Sequence, residues 1–447
     1  MKEKVYLESL GCAKNLVDSE VIAGCLQKYG YTFTTSKEEA DIIIVNTCAF
    51  IKDASQEAVD TILNLALLKK EGNCRRLVVA GCLPQRYGKQ LVHELKEVDL
   101  FVGVGEFPRI GELLEAERRE PSFHPLHIST PTFLLDHTTP RILSTPLHTA
   151  YVKIAEGCAH HCSFCTIPQI KGPYQSRPPE SITAEVKTLV ARGVKEINLI
   201  AQDTSFYGRD LTHKKDLPYL LKQLSQIEGI EWIRVLYTHP DHLSNDLIKI
   251  IGEEEKIVNY IDLPLQHISN RILKRMGREK DSTKIRKLIT ELRDNIPNLS
   301  LRTTFMVGFP GETDKDFGLL IDFVKEIEFE HLGAFRYSDE EETRAYRFAR
   351  KVPVQVIDER YHILMSTQSQ ISLKNNQKLI GSTQKVLVES TSSETGMPFG
   401  RTSFQAPEID GIVYLHKGNA VVGEMVEAKV TDASEYDLQA EIERKII

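Results

Sequence analysis

Cys158, Cys162 and Cys165 form a C-x3-C-x2-C array in the stretch "GCAHHCSFC". A deprotonated cysteine is a soft metal ligand, and a loop this compact can wrap three thiolates around one inorganic centre. A structural zinc ion asks for four ligands at tetrahedral corners, whereas a cubane iron-sulfur cluster accepts three cysteines and leaves one iron open. Three ligands therefore point to an open iron. The competing reading completes a zinc site with His160 or His161, although a histidine wedged between such close cysteines would struggle to reach the fourth corner. Three more cysteines stand apart: Cys12, Cys48 and Cys82 close the apolar runs "VYLESLGC", "DIIIVNTC" and "RRLVVAGC".

Those runs need elements to position them. Strands over 5–11, 41–47, 76–81 and in "LFVGV" alternate with amphipathic stretches 15–29, 52–70 and 84–96, which predicts a mostly parallel sheet covered by helices. In such a sheet the carboxyl ends of the strands converge on one crevice. Cys12, Cys48 and Cys82 thus become spatial neighbours and a second shared site, rather than three of the buried cysteines that ordinary cores contain. Cys25 falls on the apolar stripe of its helix and reads as packing; Cys74, in the polar turn "EGNCRR", takes no role. Residues 121–146 carry five prolines and read as a linker. A second βα series has strands over 151–157, 196–202, 232–238, 261–266, 301–308 and 331–337, which suits either a partial barrel or an open sheet. A long helix over 354–377 leads to short alternating strands (384–389, 411–416, 424–430, 436–443), the pattern of a small β-barrel or sandwich. The division is 1–118, a linker 119–145, 146–378 and 379–447.

The totals narrow the setting. A chain of 447 residues with 27% charged side chains has no apolar run near the ~18 to 20 residues that span a bilayer. Its N-terminus enters a strand directly, with no signal-like apolar segment, so a cytoplasmic protein without membrane contact is expected. Eight cysteines in such a chain point to metal or catalysis before disulfides. A formal charge of -7 argues against a chain devoted to holding nucleic acid.

C-x3-C-x-aromatic-C after the first strand of a βα series, with Phe164 as the aromatic residue, resembles the radical S-adenosylmethionine superfamily. The resemblance implies that the open iron is chelated by S-adenosylmethionine, which the reduced cluster cleaves to a 5'-deoxyadenosyl radical. A second three-cysteine site ahead of that core resembles the methylthiotransferase family. "ESLGCAKNLVDSE", "VNTCAFI", "VAGCLPQRY", "LPLQHISNRILKRMGR", "FMVGFPGET" and "FRYS" match its landmarks along nearly the whole chain. The family implies an α/β fold: an N-terminal parallel α/β sheet, a partial (β/α)6 TIM-like barrel and a small, OB-like β-barrel called TRAM. It also implies two 4Fe-4S clusters, one on Cys158, Cys162 and Cys165 and an auxiliary one on Cys12, Cys48 and Cys82 that delivers sulfur.

Lys14 through Glu20, Gln266-His267 and "GRTSFQAPEIDGIVYL" resemble the branch that methylthiolates the β-carbon of an aspartate in ribosomal protein S twelve, more than the branch that modifies tRNA adenosine. Residues 378–447 hold 7 Lys+Arg against 11 Asp+Glu, a net of 7 - 11 = -4, which suits a basic protein partner and disfavours a stable nucleic-acid one. No site for a sulfur donor or an electron donor is legible. Three residues depart from the family pattern: Ala13 replaces a usual proline, Lys171 a common arginine, Glu342 a usual glycine. For S-adenosylmethionine, Phe164 is expected near the adenine, with Gln202 and Asp203 as polar contacts at a strand end. Arg336, closing the sixth strand, is expected to pair with the substrate carboxylate or with a structural partner. Both open irons must face one cavity, so the N-terminal strand ends should dock over the mouth of the barrel. A noncatalytic metal-binding RNA adaptor is the alternative from another class.

Overall fold

Apolar runs with no polar alternation become strands covered on both faces, and Ile42–Thr47 and Arg76–Gly81 are buried at every residue. They are the centre of the first sheet in the computed structural model, which describes residues 3–119, 124–212 and 215–446. In this sheet β1 (Lys4–Ser9), β2 (Thr32–Phe33), β3 (Ile42–Thr47), β4 (Arg76–Gly81), β5 (Leu100–Val102) and β6 (Leu126–His127) run parallel in the order β2-β1-β3-β4-β5-β6. The edge strands β2 and β6, two residues each, carry too little pattern to be read from the sequence. Cys25 packs in this domain's core as expected, and so does Cys74, which donates a hydrogen bond to the Arg76 carbonyl at 3.3 Å. Of the proline-rich segment, residues 121–123 lie outside the described residues.

The second sheet is also all parallel. Its strands are β7 (Thr149–Lys153), β10 (Glu196–Ile200), β11 (Trp232–Val235), β12 (Ile257–Gln266), β13 (Ser300–Val307) and β14 (His331–Arg336), lying side by side in chain order with helices between them. A small antiparallel pair, β8 (Ala155–Glu156) with β9 (Gln175–Ser176), frames the loop that holds Cys158. The sheet is open between β14 and β7, which makes it a partial (β/α)6 barrel. Alternate residues divide its faces: Val152, Ile197, Leu199, Ile233 and Leu301 pack under the helices, while Tyr151, Trp232 and Tyr260 join a separate core with Val17 of the N-terminal domain and Leu387 and Met425 of the C-terminal one. Both neighbouring domains therefore fill the inner face.

The long helix Val354–Gln377 leads to a closed barrel of β15 (Thr383–Thr391), β16 (Pro398–Thr402), β17 (Val413–His416), β18 (Met425–Ala433) and β19 (Leu438–Ile446), in the order β15-β16-β17-β19-β18. Strand β16 had escaped the pattern because Pro398 and Gly400 interrupt its alternation. The β-barrel meets the second sheet at the amino ends of its strands: Arg401 reaches Glu196, and both Ser300 and His331 reach the Phe404 carbonyl. No helix among the described residues is long and apolar enough to cross a membrane.

Candidate functional site: two cysteine triads across a domain interface

Each strand end turns sharply to present its sulfur. Gly11 has φ +94° and its missing Cβ would stand 2.6 Å from the Cβ of Cys48, so only glycine lets the Cys12 and Cys48 turns approach. Cys12 then caps the helix Ala13–Lys28, and Cys82 opens the helix Cys82–Glu94, so both sulfurs sit at helix N-termini. Asn15 ties the three ends together: its Nδ2 donates to the carbonyls of Leu10 (3.0 Å) and Thr47 (2.9 Å), and its Oδ1 lies 3.7 Å from Cys82 Sγ.

The thiols differ in character. Burial pushes Cys82 up to about 12 and raises Cys48 as well. Cys12, the most accessible of the three, goes the other way: burial opposes its thiolate, but the Lys14 charge, the Asn15 and Lys14 backbone N–H groups and Lys171 outweigh it and hold the thiol below its ordinary value. Cys12 and Cys48 both influence Cys82, which marks the three as electrostatic neighbours.

The Cys158 loop is built similarly. Gly157 (φ +71°) approaches the Pro173 carbonyl too closely for any Cβ. Below the loop, Phe164 packs with Ile272, Met276, Phe309, Tyr337 and Ala345. Burial pushes Cys158 up to about 11 and Cys165 up to about 12. His160 leaves the loop for Asp203, with Nε2 2.7 Å from Oδ2, and stacks on His239 at 3.9 Å between ring centres. His242 Nδ1 lies 2.6 Å from the same oxygen. Asp203 is buried; desolvation alone would raise its pKa, but His160, His242 and Ser205 hold it well below the usual carboxylate range.

The two triads belong to facing surfaces. Glu340, just past β14, accepts from the Lys52 backbone N–H (2.8 Å) and pairs with Arg86 (2.7 Å), which also pairs with Glu342 (2.5 Å) and donates to the Ala49 carbonyl (2.8 Å). Those groups flank Cys48 and Cys82. At the other side Asp18 is held by Lys153, at the end of β7, and by Lys171 at 2.8 Å. The N-terminal strand ends thus meet the carboxyl ends of the barrel strands, as the two-cluster argument requires. Two of the three departures serve this seam, since Lys171 and Glu342 both supply ion pairs across it.

The donor sets discriminate between metals. Tetrahedral zinc would draw its thiolates to about 3.8 Å of one another. Among the described residues the one group of His, Cys, Asp or Glu ligand atoms mutually within 4.8 Å is His160, Asp203, His239 and His242, and no cysteine belongs to it. Of the two histidines that could complete a zinc site at Cys158, Cys162 and Cys165, His160 is committed to Asp203 and His161 is exposed.

The other expected residues divide. Gln202 is half-buried and makes no side-chain hydrogen bond among the described residues, so its amide is open to a ligand. Asp203 serves as a clamp on His160, with its oxygens already taken by protein donors. The Phe164 ring lies in the apolar cluster under the loop. Arg336 is not brought to the cysteines: it pairs with Asp358 at 2.5 Å and lies over Tyr361, both on the long helix, which is the structural partner rather than the substrate one. Sequence reasoning took Lys14, Asn15 and Asp18 only as part of a family signature and missed His239 and His242. The rule that selected Asp203, a polar residue just past a barrel strand, would also have selected "THPDH" after β11.

Comparison with known proteins bears on all three parts. Residues 4–103 match the Uncharacterized protein family UPF0004, residues 152–324 the Radical SAM superfamily and residues 380–442 the TRAM domain. The ribosomal protein uS12 methylthiotransferase RimO of Geotalea uraniireducens (strain Rf4) is 51% identical over 443 residues, covering 99% of both chains. That of Geobacter sulfurreducens is 51% identical over 442 residues with the same coverage. Among solved structures, the radical S-adenosylmethionine methyltransferase TsrM from Kitasatospora setae superposes with a TM-score of 0.57 at 14% identity, covering 86% of this chain and 81% of its own, a likeness of fold.

Proposed function

The chain belongs to the RimO family of ribosomal protein uS12 methylthiotransferases, and from that membership we propose that it places a methylthio group on the β-carbon of an aspartate of uS12 by radical S-adenosylmethionine chemistry. In this reading Cys158, Cys162 and Cys165 hold the 4Fe-4S cluster that binds S-adenosylmethionine, and Cys12, Cys48 and Cys82 hold an auxiliary one. A C–H bond beside a carboxylate yields to no acid-base pair in the cleft, so the clusters supply what side chains lack, a hydrogen-abstracting radical and a sulfur. The chain's residues do the rest. Asp203 fixes His160 and with it the Cys158 loop, Gln202 offers an unengaged amide to the cofactor, and the Arg86–Glu340 pair keeps the two sites facing each other in a closed seam.

The segments 1–118, 119–145, 146–378 and 379–447 then act as auxiliary-cluster domain, linker, radical core and TRAM domain. The TRAM barrel packs on the amino ends of the core strands, away from the cysteines, so its net negative surface would grip a basic protein at a distance and add nothing to the pocket. The observation that carries the reading is the pair of cysteine triads on latched, facing strand ends. Reconstituted full-length protein, incubated with uS12, S-adenosylmethionine, sulfide and reductant, is expected to yield uS12 bearing a methylthio group by mass spectrometry. Unmodified uS12 beside methylthiolated tRNA adenosine would move the assignment to the tRNA branch.

A further inference from the structure

A buried cation left without an anion is expensive, so the cations of the cleft can be traced to their partners. Lys153 is held by Asp18 and Glu156, Lys171 by Asp18, Arg302 by Asp262 and Arg86 by Glu340 and Glu342. Arg278, just past the helix Asn270–Met276, has no acid partner either, but its Nη1 meets His239 Nε2 on the Cys158 side. On the Cys12 side the cation without an acid is Lys14. It is 7% exposed, and among the described residues it forms no ion pair and no side-chain hydrogen bond. Its ammonium rests 3.3 Å from the centre of the Tyr237 ring, a cation–π contact that satisfies charge but no N–H donor. Tyr237 itself has φ +59°, a left-handed backbone that a bulky residue adopts at a cost, and its N–H is pinned by Asp262 at 3.0 Å.

The place is as telling as the lack of a partner. Lys14 is two residues past Cys12, on the helix that Cys12 caps, and its ring partner follows β11 of the barrel. The ammonium thus stands where the auxiliary triad meets the barrel mouth. Asp262, the nearest acid on the barrel side, is already shared by Arg302 at 3.0 Å and by the Tyr237 N–H.

We propose that Lys14 is the binding group for the side-chain carboxylate of the substrate aspartate, with Tyr237 as the floor of the pocket. The inference rests on the aspartate reading above and deepens it. A carboxylate on Lys14 sets the adjoining β-carbon beside the Cys12, Cys48 and Cys82 site. A neutral nucleobase leaves the ammonium unpaired, so the same residue selects protein over tRNA.

The test uses the reconstituted full chain, uS12 and a uS12 variant with asparagine in place of the target aspartate. Wild type is expected to bind the asparagine variant about 10- to 100-fold more weakly than the aspartate form, the loss of one charge-assisted hydrogen bond. Lys14→Met, checked for undiminished iron and sulfide, should bind the aspartate form more weakly by the same factor and no longer distinguish the two; Lys14→Arg should restore part of the preference. Equal binding of aspartate and asparagine forms by wild type, with the aspartate form still methylthiolated, overturns the carboxylate pocket alone, and so does an undiminished preference in Lys14→Met. A wild type that never modifies uS12 overturns the function beneath it as well.

Discussion

At the scale of single residues, the auxiliary triad is chemically unequal before any cluster is bound. Cys12 is accessible, and Lys14, Lys171 and two backbone N–H groups overcome burial to favour its thiolate. Cys82 is 6% exposed and pushed up to about 12 by burial, and its thiol donates to Asn15 Oδ1 at 3.7 Å. Thiolate fraction and access together set the rate of alkylation. A brief pulse of iodoacetamide on metal-free protein near neutral pH is therefore expected to label Cys12 first and Cys82 last, as read by peptide mass spectrometry. Equal labelling of the two would show that the helix N-terminus and the lysines do not act on Cys12 as the geometry requires. The sequence named both cysteines but could not rank them: Lys14 and the backbone N–H groups of Lys14 and Asn15 favour the Cys12 thiolate alone, Lys171 lowers both thiols from across the domain seam, and how deeply each thiol is buried is set by the fold.

At the scale of elements, the recurring unit is a strand, a glycine and a cysteine. Gly11-Cys12, Gly81-Cys82 and Gly157-Cys158 all have the glycine at positive φ, and in each case a Cβ would strike the neighbouring turn. At Gly81 (φ +98°) it would crowd the Asn46 amide and lie 2.8 Å from the Thr47 carbonyl, the two residues before Cys48. Gly81→Ala thus carries about 1–2 kcal/mol of backbone strain and also separates Cys82 from Cys48. Reconstituted Gly81→Ala is expected to hold about half the wild-type iron, because the Cys158 loop is untouched. Full iron content would mean that the turn tolerates the displacement.

This unit is also why so much was legible. An apolar run ending in Gly-Cys writes strand, turn and candidate ligand into eight consecutive letters, so the βα order and the placing of Cys12, Cys82 and Cys158 at strand ends could be read from local pattern, while the docking of the strand ends was expected from the family resemblance. What stayed hidden has no local signature. Strand β2 is two residues long, the histidine partners of Asp203 come from other loops, and Asp358, the partner of Arg336, lies on a helix packed against β14.

At the scale of the whole molecule, the core barrel is held at both ends by charge. The site end is closed by Arg86, Glu340, Asp18 and Lys171; the other end is closed by a buried cluster in which Glu196, the first residue of β10, meets Arg401 of the TRAM barrel at 2.6 Å and Arg234 of β11 at 3.1 Å. Arg401 also pairs with Glu389 at 2.6 Å, and none of Glu196, Arg234 and Arg401 is more than 1% exposed. Desolvation would raise the Glu196 pKa, but the two guanidiniums overcome it and bring the carboxylate from 4.5 down to about 2. A carboxylate whose pKa is depressed by folding stabilises the fold fully above its unfolded value. That contribution, on the order of 3 kcal/mol, is lost as the pH falls from about 4.5 towards 2. Glu196→Gln removes the titrating group, leaves the buried Arg234 without an acid and leaves Arg401 with Glu389 alone, a loss of about 3–5 kcal/mol at neutral pH. Urea unfolding followed across that acid window is therefore expected to show wild type losing stability steeply, while the variant starts lower and falls with a shallower slope. Parallel slopes would mean that Glu196 keeps its partners without titrating against them, and that the TRAM barrel is held by its apolar contacts at Leu387, Ala406 and Met425 instead.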